Sequence, residues 1–506
     1  MNPEWQNLTD PIFHWAAERP HAPAFHEGPV TLTYGELAPL VGRAAVYLDR
    51  LGIRAGDRVA INLTNSIDHF ILTLGLLRVG ATTLEIAYDP ARALSPDQLA
   101  KLSIRTVFLE PTANPVAGVA TIRVDAAWRG LIERERGDFR HPGGGDEIFT
   151  LSMTSGTTGE PKAILSSHRQ SFRHTRANIE LYAGSGVFSP ERPAKLLLTA
   201  SIAFAVFFRV MLSRLAIGGA VVILPAFLHV IDLVKAIGLW DDAVCYVPAA
   251  MCRVLIACAP QQGFLFPRLR ALVATGGFLY AQDKLAVLDR VTPHFYESYG
   301  ASGIGVVSVL PPQEMRRRPA SVGRPSSMIE AQVVDENARP LPAGAVGRLR
   351  YRSTEASGRA GEREAAGDEQ FREGWWYPGD YGHIDEAGYI FLTGRATEVI
   401  KRKGEALFAP DIEAVIAAHP SVAEVAVVGV PGAQSGEGLV ALVVPRGKAQ
   451  HEALARHCRS RLPPERWPDR VFYAQALPKT AAGKLDRRRV TELVMAEINR
   501  RGRRAR

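Results

Sequence analysis

A run of hydroxyl-bearing residues and glycines that ends in a lysine, Met153–Lys162, constrains this sequence more than any other feature. It follows the apolar stretch Ile148–Met153, which is typical of a buried strand. Glycines let the backbone bend tightly and bring its N–H groups close to an anion, and the lysine adds positive charge. The common Gly-x-x-x-x-Gly-Lys-Ser/Thr loop is absent. The run therefore predicts a phosphate-binding loop, with a Ser/Thr/Gly-rich surface turn as the alternative.

The chain of 506 residues is too long for one ordinary core and predicts two or more subdomains. Its 47% hydrophobic and 22% charged residues are typical of a soluble globular protein. Four cysteines lack zinc spacing and predict reduced, buried thiols in a cytoplasmic protein. No signal peptide is expected from the first residues. Residues 215–231 are uncharged but contain glycines and a proline, which favours strand-turn-strand over a membrane span.

The net charge of +8 comes mostly from the end of the chain, because residues 487–506 contain eight arginines and two glutamates. We expect the final residues, 500–506, to form a solvated, frayed tail. Nucleic-acid binding is the weaker alternative, because no aromatic or base-reading residues accompany the arginines.

Strand-like and helix-like segments alternate through much of the first 350 residues. Apolar runs at 58–63, 195–198, 220–224 and 272–274 predict buried strands, and Ser66 is placed to cap a helix. This alternation predicts an α/β fold with mostly parallel sheets covered by helices. Residues 354–374 predict an exposed loop. From 398 onward we expect a compact α+β unit, with a helix near 411–418 and strands at 422–428 and 439–444.

Several further motifs follow in a fixed order along the chain. They are Leu32–Leu37, Gly56–Ala60, Thr275–Leu279, Glu297–Ser302, Tyr377–Asp380, Leu392–Arg395, Ile400–Glu405 and Pro478–Arg487. Together with Met153–Lys162, they resemble the adenylate-forming superfamily of acyl- and aryl-CoA synthetases, peptide-synthetase adenylation domains and luciferases. The resemblance covers about residues 10–487 and is closest to acid–thiol ligases.

The resemblance implies an N-terminal domain over 1–394, a hinge over 395–397 that includes Thr397, and a mobile C-terminal lid over 398–506. It implies an enzyme that uses ATP and Mg²⁺ to convert a carboxylic acid into an acyl-adenylate, and then transfers the acyl group to CoA. The sequence leaves open a monomer or a homodimer and identifies neither the acid nor the acceptor.

The resemblance also implies a role for each matching residue. Lys484 would stabilise the adenylation transition state, and Asp380, Arg395 and Ser302 would hold the ribose and AMP. The β- and γ-phosphates would be bound by Thr154, Ser155, Gly156, Thr157, Thr158, Gly159 and Lys162. Adenine would be bound by Gly276, Gly277, Glu297, Ser298 and Tyr299, with Glu297 accepting from its amino group. The acid pocket would include Phe204, Ala205, Phe278 and Gly300.

Two residues that differ from the family pattern bear on metal binding and on the class of acid. Gly303 replaces a glutamate that usually helps to hold Mg²⁺, so no metal ligand is assigned. Ala205 replaces the aspartate that binds an α-ammonium in amino-acid-activating relatives, which excludes an α-amino acid. Three alternatives stay open: transfer to a carrier protein, transfer to an amine, and a ligand-binding paralogue with little catalysis.

Overall fold

The computed structural model describes residue 2 and residues 4–90, 94–154, 162–225, 229–301, 304–353, 370–402, 405–431, 437–479 and 485–504. The helices and strands given below lie within these ranges. It contains helices and strands in a mixed α/β order.

The helices within these ranges are α1 Asp10–Glu18, α2 Tyr34–Arg50, α3 Ile67–Val79, α4 Pro96–Lys101, α5 Ala126–Arg134, α6 His168–Leu181, α7 Ala205–Ala216, α8 Val230–Gly238, α9 Ala249–Cys258, α10 Ala281–Arg290, α11 Pro312–Arg317, α12 Ala409–Ala417, α13 His451–Arg461 and α14 Arg487–Arg504. Short 3₁₀ helices occupy Ala396–Glu398 and Pro464–Arg466.

The strands are β1 Pro23–Glu27, β2 Val30–Thr33, β3 Arg58–Asn62, β4 Thr82–Glu85, β5 Thr106–Leu109, β6 Ala120–Arg123, β7 Ile148–Thr154, β8 Lys162–Ser167, β9 Lys195–Leu198, β10 Val221–Ile223, β11 Ala243–Pro248, β12 Ala271–Thr275, β13 Phe295–Ala301, β14 Gly305–Leu310, β15 Arg324–Pro325, β16 Ile329–Val334, β17 Gly347–Ser353, β18 Phe371–Arg372, β19 Trp375–Trp376, β20 Asp380–Ile384, β21 Ile390–Arg395, β22 Val399–Arg402, β23 Glu405–Phe408, β24 Val422–Pro431, β25 Glu437–Pro445 and β26 Arg470–Tyr473.

Two mainly parallel sheets dominate the N-terminal part. One has the order β15-β14-β13-β12-β11-β9-β10-β1-β2, and the other has the order β6-β5-β3-β4-β7-β8. Neighbours from β13 through β12, β11, β9 and β10 to β1 are all parallel. Such strands are buried on both faces, which explains their continuous apolar runs. The α/β fold class predicted from the sequence is confirmed.

A third sheet, β18-β19-β17-β20-β21 with β16 beside β17, is antiparallel and completes the N-terminal part. After residue 398, β22 pairs with β23, and β24, β25 and β26 form a small sheet. Two apolar clusters of this small C-terminal unit consist of residues from 400 onward. The unit thus has its own core, as predicted.

Local signals placed several elements correctly. Ser66 caps α3, because its Oγ accepts a hydrogen bond from the backbone N–H of His69 at 3.1 Å. The predicted strands at 58–63, 195–198 and 272–274 match β3, β9 and β12 to within two residues. The helix and both strands expected after residue 398 correspond to α12, β24 and β25.

Three expectations are wrong. Residues 215–231 run from the end of α7 through β10 into α8, so they form helix-strand-helix rather than strand-turn-strand. Residues 354–369 of the predicted exposed loop lie outside the described part of the chain, but Phe371 near its end lies on β18 and is buried against the third sheet. The arginine-rich tail is helical through Arg504 rather than frayed. No helix in the described ranges is long and apolar enough to cross a membrane.

Candidate nucleotide and acid site

The predicted site residues follow the carboxyl ends of strands. In the nine-stranded sheet, β9, β12 and β13 point the same way, because each pair along β9-β11-β12-β13 is parallel. Phe204, Gly276 and Tyr299 lie at or just after these three carboxyl ends. Open α/β sheets bind ligands outside the carboxyl ends of their strands. The sheet therefore brings residues that are far apart in sequence to one edge.

Tyr299, Asp380 and Arg395 form one hydrogen-bonded cluster. The Tyr299 hydroxyl donates to Asp380 Oδ2 at 2.6 Å. Arg395 Nε lies 3.1 Å from Asp380 Oδ1. Tyr351, which is fully buried, donates its hydroxyl to the Tyr299 hydroxyl at 3.3 Å. The structure thus joins the expected adenine platform to both expected ribose-binding residues.

The two charged members of this cluster differ in exposure. Asp380 is buried, whereas 56% of the Arg395 side chain is exposed. Asp380 raises the pKa of Arg395, so the guanidinium stays charged. Burial raises the pKa of Tyr299 well above its ordinary value, helped by Tyr351 and Asp380, so its hydroxyl stays a donor. The cluster is therefore polar, charged and open on one side.

Backbone pairing holds Asp380 and Arg395 opposite each other. They are register partners at one end of the antiparallel pair β20 and β21. Gly379 precedes Asp380 with a φ of +81°, a conformation that favours glycine. The Gly379 carbonyl accepts a hydrogen bond from the N–H of Ala396 at 2.8 Å. The Pro378-Gly379 turn thus fixes where the carboxylate begins its strand.

Glu297 forms a buried ion pair. Its carboxylate lies 2.5 Å from Lys284 Nζ, and the two side chains are 5% and 1% exposed. Lys284 also donates to the Ser321 carbonyl at 2.8 Å. Burial raises the pKa of Glu297, and Lys284 opposes that shift. The carboxylate thus joins β13 to α10, and its expected contact with the adenine amino group stays a prediction.

The Ser298 side chain faces the core, whereas the loop after β12 is exposed. The Ser298 hydroxyl hydrogen-bonds Tyr182, a fully buried tyrosine, so its side chain faces the core. Gly276, with a φ of +75°, and Gly277 are exposed at the carboxyl end of β12. Phe278 is 45% exposed, and its ring meets that of Tyr280 edge-on at 5.3 Å. This loop offers an apolar, accessible surface beside Tyr299.

The predicted acid-pocket residues differ in exposure and in the space available for a larger side chain. Phe204 and Ala205 are half-buried at the start of α7, whereas Phe207 and Phe208 are core residues at 3% and 2% exposure. A Cβ on Gly300 would lie 2.2 Å from the Gly305 carbonyl oxygen. Glycine is thus required at 300 for the β13–β14 hairpin, whatever else it contacts.

Some predicted residues lie outside the described part of the chain. These are Ser155, Gly156, Thr157, Thr158, Gly159, Ser302 and Lys484, and for Thr154 and Lys162 only the backbone is described. Thr397 lies in the 3₁₀ helix Ala396–Glu398 that follows β21. Lys479 and Leu485, which flank the segment carrying Lys484, pair as an antiparallel bridge.

Two residues beside the site were not found from the sequence. Tyr351 lies on β17 with no motif around it, and only the pairing of β17 with β20 brings it to Tyr299. His174 on α6 bonds through Nε2 to the Ile304 carbonyl at 2.9 Å, beneath the turn that follows Tyr299. Burial and Arg209 lower the pKa of His174 to about 3, so it stays neutral.

Family models match most of the chain. The model described as AMP-binding enzyme matches residues 12–357, and the model of the AMP-binding enzyme C-terminal domain matches residues 411–484. The chain is 28% identical over 477 residues to the uncharacterized acyl–CoA ligase YhfT of Bacillus subtilis, covering 91% of this chain and 92% of that protein.

Another relative and a solved structure extend this picture. The fatty acid–[acyl-carrier-protein] ligase ScoC of Streptomyces coeruleorubidus is 28% identical over 517 residues, with 97% of both chains covered. ATP-bound MatB from Rhodopseudomonas palustris superposes with a TM-score of 0.83 at 23% identity, covering 96% of this chain and 98% of that one. This structural likeness confirms the fold, and the matched family models show that the chain belongs to the AMP-binding enzyme family.

Proposed function

We propose that the protein is an AMP-forming acid–thiol ligase. A carboxylate oxygen of the acid attacks the α-phosphorus of ATP, pyrophosphate leaves, and the acyl-adenylate stays bound. The CoA thiolate then attacks the acyl carbonyl, AMP leaves, and a thioester forms. The observation that carries the proposal is the Tyr299–Asp380–Arg395 cluster at the carboxyl edge of the nine-stranded sheet, in a chain of the AMP-binding enzyme family.

The cluster suits the nucleoside part of ATP. A carboxylate accepts hydrogen bonds from both ribose hydroxyls, and Asp380 is held for this by Arg395. The Tyr299 ring stacks on adenine, which reaches it past the side-chain-free Gly276 and Gly277. Because the Tyr299 hydroxyl bonds Asp380 directly, the adenine platform and the ribose acceptor keep a fixed spacing.

The barrier to adenylation is mostly electrostatic, because an anion attacks an anionic phosphorus centre. In this proposal the hydroxyls and N–H groups of 154–159 and Lys162 hold the β- and γ-phosphates. Lys484 bridges the acid carboxylate and the α-phosphate. Ser302 completes the AMP site. The unit 1–394 binds ATP and acid, and the unit 398–506 delivers Lys484 by turning about 395–397.

A metal ion fits this site only as a companion of the phosphates. The described residues contain no group of three or more histidine, cysteine, aspartate or glutamate side chains placed to hold a metal. Mg²⁺ keeps several waters and binds nucleotide phosphates with few protein ligands. The small number of carboxylates among the described residues is therefore compatible with Mg²⁺ binding through the phosphates. When bound, it would neutralise phosphate charge, while this chain's own residues orient the nucleotide.

The acid is proposed to be aryl, alicyclic or medium-chain, and not an α-amino acid. Ala205 at the start of α7 offers no carboxylate to an ammonium group, and an unpaired ammonium in an apolar site is costly. Phe204 and Phe278 supply partly exposed aromatic surface at the same edge. Both features favour an uncharged, apolar acyl chain.

A carrier protein is the second candidate acceptor. The relative ScoC, aligned over 97% of both chains, is by its name a ligase for an acyl-carrier protein. The phosphopantetheine thiol of such a carrier reacts in the same way as the CoA thiol. Transfer to an amine is a third possibility with the same first half-reaction.

The decisive test is acid-dependent pyrophosphate release with Mg-ATP, over a panel of aryl, alicyclic and fatty acids, with and without CoA. We expect fast release for one acid class only when CoA is present. Slow release that ignores CoA would favour a carrier protein or an amine. No release with any acid would contradict the proposal and favour a ligand-binding paralogue.

Lys484→Ala tests the proposed catalytic lysine. Loss of a preorganised cation should lower the adenylation rate by about 10²–10³-fold. Lys479→Ala is a matched control, because Lys479 lies on the same segment but pairs with Glu424 at 3.0 Å. The measurement is acid-dependent exchange of pyrophosphate into ATP. Equal losses in both variants would overturn the role of Lys484.

A further inference from the structure

The small C-terminal unit contacts the loop Thr275–Tyr280 through one carboxylate, Glu413. The Tyr280 hydroxyl donates to Glu413 Oε2 at 3.1 Å, across 133 positions of sequence. Glu413 lies on α12 and is only 3% exposed, although it is ionisable. Tyr280 lies two positions after Phe278, in the same loop as Gly276 and Gly277, so this contact reaches the rim of the proposed site.

Glu413 is also bound from the other side by Arg487. Arg487 Nη1 and Nη2 donate to Glu413 Oε1 and Oε2 at 2.6 and 2.9 Å, a two-pronged arrangement. The N–H of Val427 donates to Glu413 Oε1 at 2.7 Å. The carboxylate thus has an internal role in its own unit, in addition to its contact with Tyr280.

Arg487 connects this carboxylate to two further parts of the site. It begins α14, three positions after Lys484, and the N–H of Asp486 donates to the Pro478 carbonyl at 2.9 Å, closing the base of the segment that carries Lys484. Arg487 Nε also lies 3.1 Å from Glu398 Oε1, in the 3₁₀ helix after Arg395. The same guanidinium therefore contacts the proposed hinge.

A second contact between the two units lies beside Tyr280. Arg253 on α9 is held by Asp283 at 2.8 Å and donates to the Ala423 carbonyl at 3.4 Å. Its guanidinium carbon lies 5.1 Å from the centroid of the Tyr280 ring. On the hinge side, Phe408 meets Tyr381 with ring centroids 5.5 Å apart. These contacts fix one orientation of the small unit.

We propose that Tyr280 and Glu413 are positioning residues that dock the small unit in the orientation used for adenylation. Glu413 binds Arg487, which lies three positions after Lys484. It also binds Tyr280, in the loop that carries the proposed adenine and acid residues. Formation of the acyl-adenylate is the step that needs a cation at that place. This inference rests on the proposed function for its catalytic meaning, whereas the docking itself does not.

The test is Tyr280→Phe, which removes the hydroxyl but keeps the ring against Arg253. A hydrogen bond to a charged acceptor is lost, so we expect acid-dependent exchange of pyrophosphate into ATP to fall by about 10-fold. Single-turnover transfer from added acyl-adenylate to CoA should stay within about 2-fold of the parent protein. Tyr88→Phe, which removes an exposed hydroxyl 3.3 Å from Thr112 and none of the contacts between the two units described above, should change neither rate.

A second measurement does not depend on activity. Spin labels on Gln261→Cys and Lys448→Cys, exposed positions on the two units, report their separation by pulsed electron resonance. Tyr280→Phe should broaden the distance distribution in the full chain without ligands, and Tyr88→Phe should not. An unchanged distribution would overturn the docking role, even if no acid supports exchange. Equal losses in both half-reactions would overturn the assignment to adenylation.

Discussion

Glu297 and Asp380 are two buried carboxylates that the sequence assigned to the same nucleotide, yet their surroundings differ. Their side chains are 5% and 7% exposed, and each pairs with one basic side chain. The partner of Glu297, Lys284, is 1% exposed, whereas the partner of Asp380, Arg395, is 56% exposed. One pair is sealed between β13 and α10, and the other opens onto the cleft. The exposure of the cation, rather than that of the carboxylate, separates the structural pair from the candidate site.

The sharpest test of this difference is Lys284→Met. It should lower the free energy of unfolding by about 3–5 kcal/mol, because it leaves the Glu297 carboxylate buried without its partner. Urea unfolding followed by tryptophan fluorescence measures this. The double variant Lys284→Met/Glu297→Met should recover most of the loss, because the pair is replaced by apolar side chains of similar size. A single variant as stable as the parent would show that the pair is not sealed.

Asp380→Asn should lower activity much more than stability, in contrast to Lys284→Met. We expect kcat/KM for ATP to fall by about 10²-fold, because a charged acceptor for the ribose hydroxyls is lost. Stability should change by less than about 1 kcal/mol, because water screens the exposed Arg395 that remains. Steady-state kinetics and the same urea series measure the two effects. Asp335→Asn, in an exposed turn with Arg339, is the control. A large stability loss without a kinetic effect would make Asp380 resemble Glu297.

Tyr299→Phe should have a smaller effect than Asp380→Asn and tests the link between the two halves of the proposed nucleoside site. The ring that stacks on adenine stays, and the 2.6 Å hydrogen bond to Asp380 is lost. We expect kcat/KM for ATP to fall by about 5- to 10-fold. Tyr351→Phe removes only the 3.3 Å contact with the Tyr299 hydroxyl, so kcat/KM for ATP should fall less in this variant. An equal or larger fall in Tyr351→Phe would contradict this order.

The sequence predicted what depends on continuous local patterns. The strands β3, β9 and β12 follow from apolar runs, and the Ser66 cap follows from one residue type before a helix. Tyr299, Asp380 and Arg395 were identified by short motifs, and the sheets bring them together. Their proposed nucleotide roles remain predictions that the experiments above address.

The features that the sequence did not predict depend on contacts with residues distant in sequence. The ion pair of Glu297 was not predicted, because Lys284 lies on a helix whose packing against β13 cannot be read from either segment. Residues 215–231 contain glycines that suggested a turn between strands, but tertiary packing makes 215–216 the end of α7. The polar composition of 354–374 masked the short strand around Phe371, which is ordered by β19 and the third sheet. The contact of Tyr280 with Glu413 left no local signal at all.

The close approach of Gly300 to the Gly305 carbonyl restricts how the proposed acid pocket can be redesigned. Any side chain at 300 collides with backbone 2.2 Å away, so a mutant library there would mainly sample damaged hairpins. Positions 205 and 278 have no such restriction, since Ala205 is half-buried at a helix start and Phe278 is 45% exposed. Engineering for a bulkier or smaller acid is best concentrated on these two positions, with 300 left as glycine.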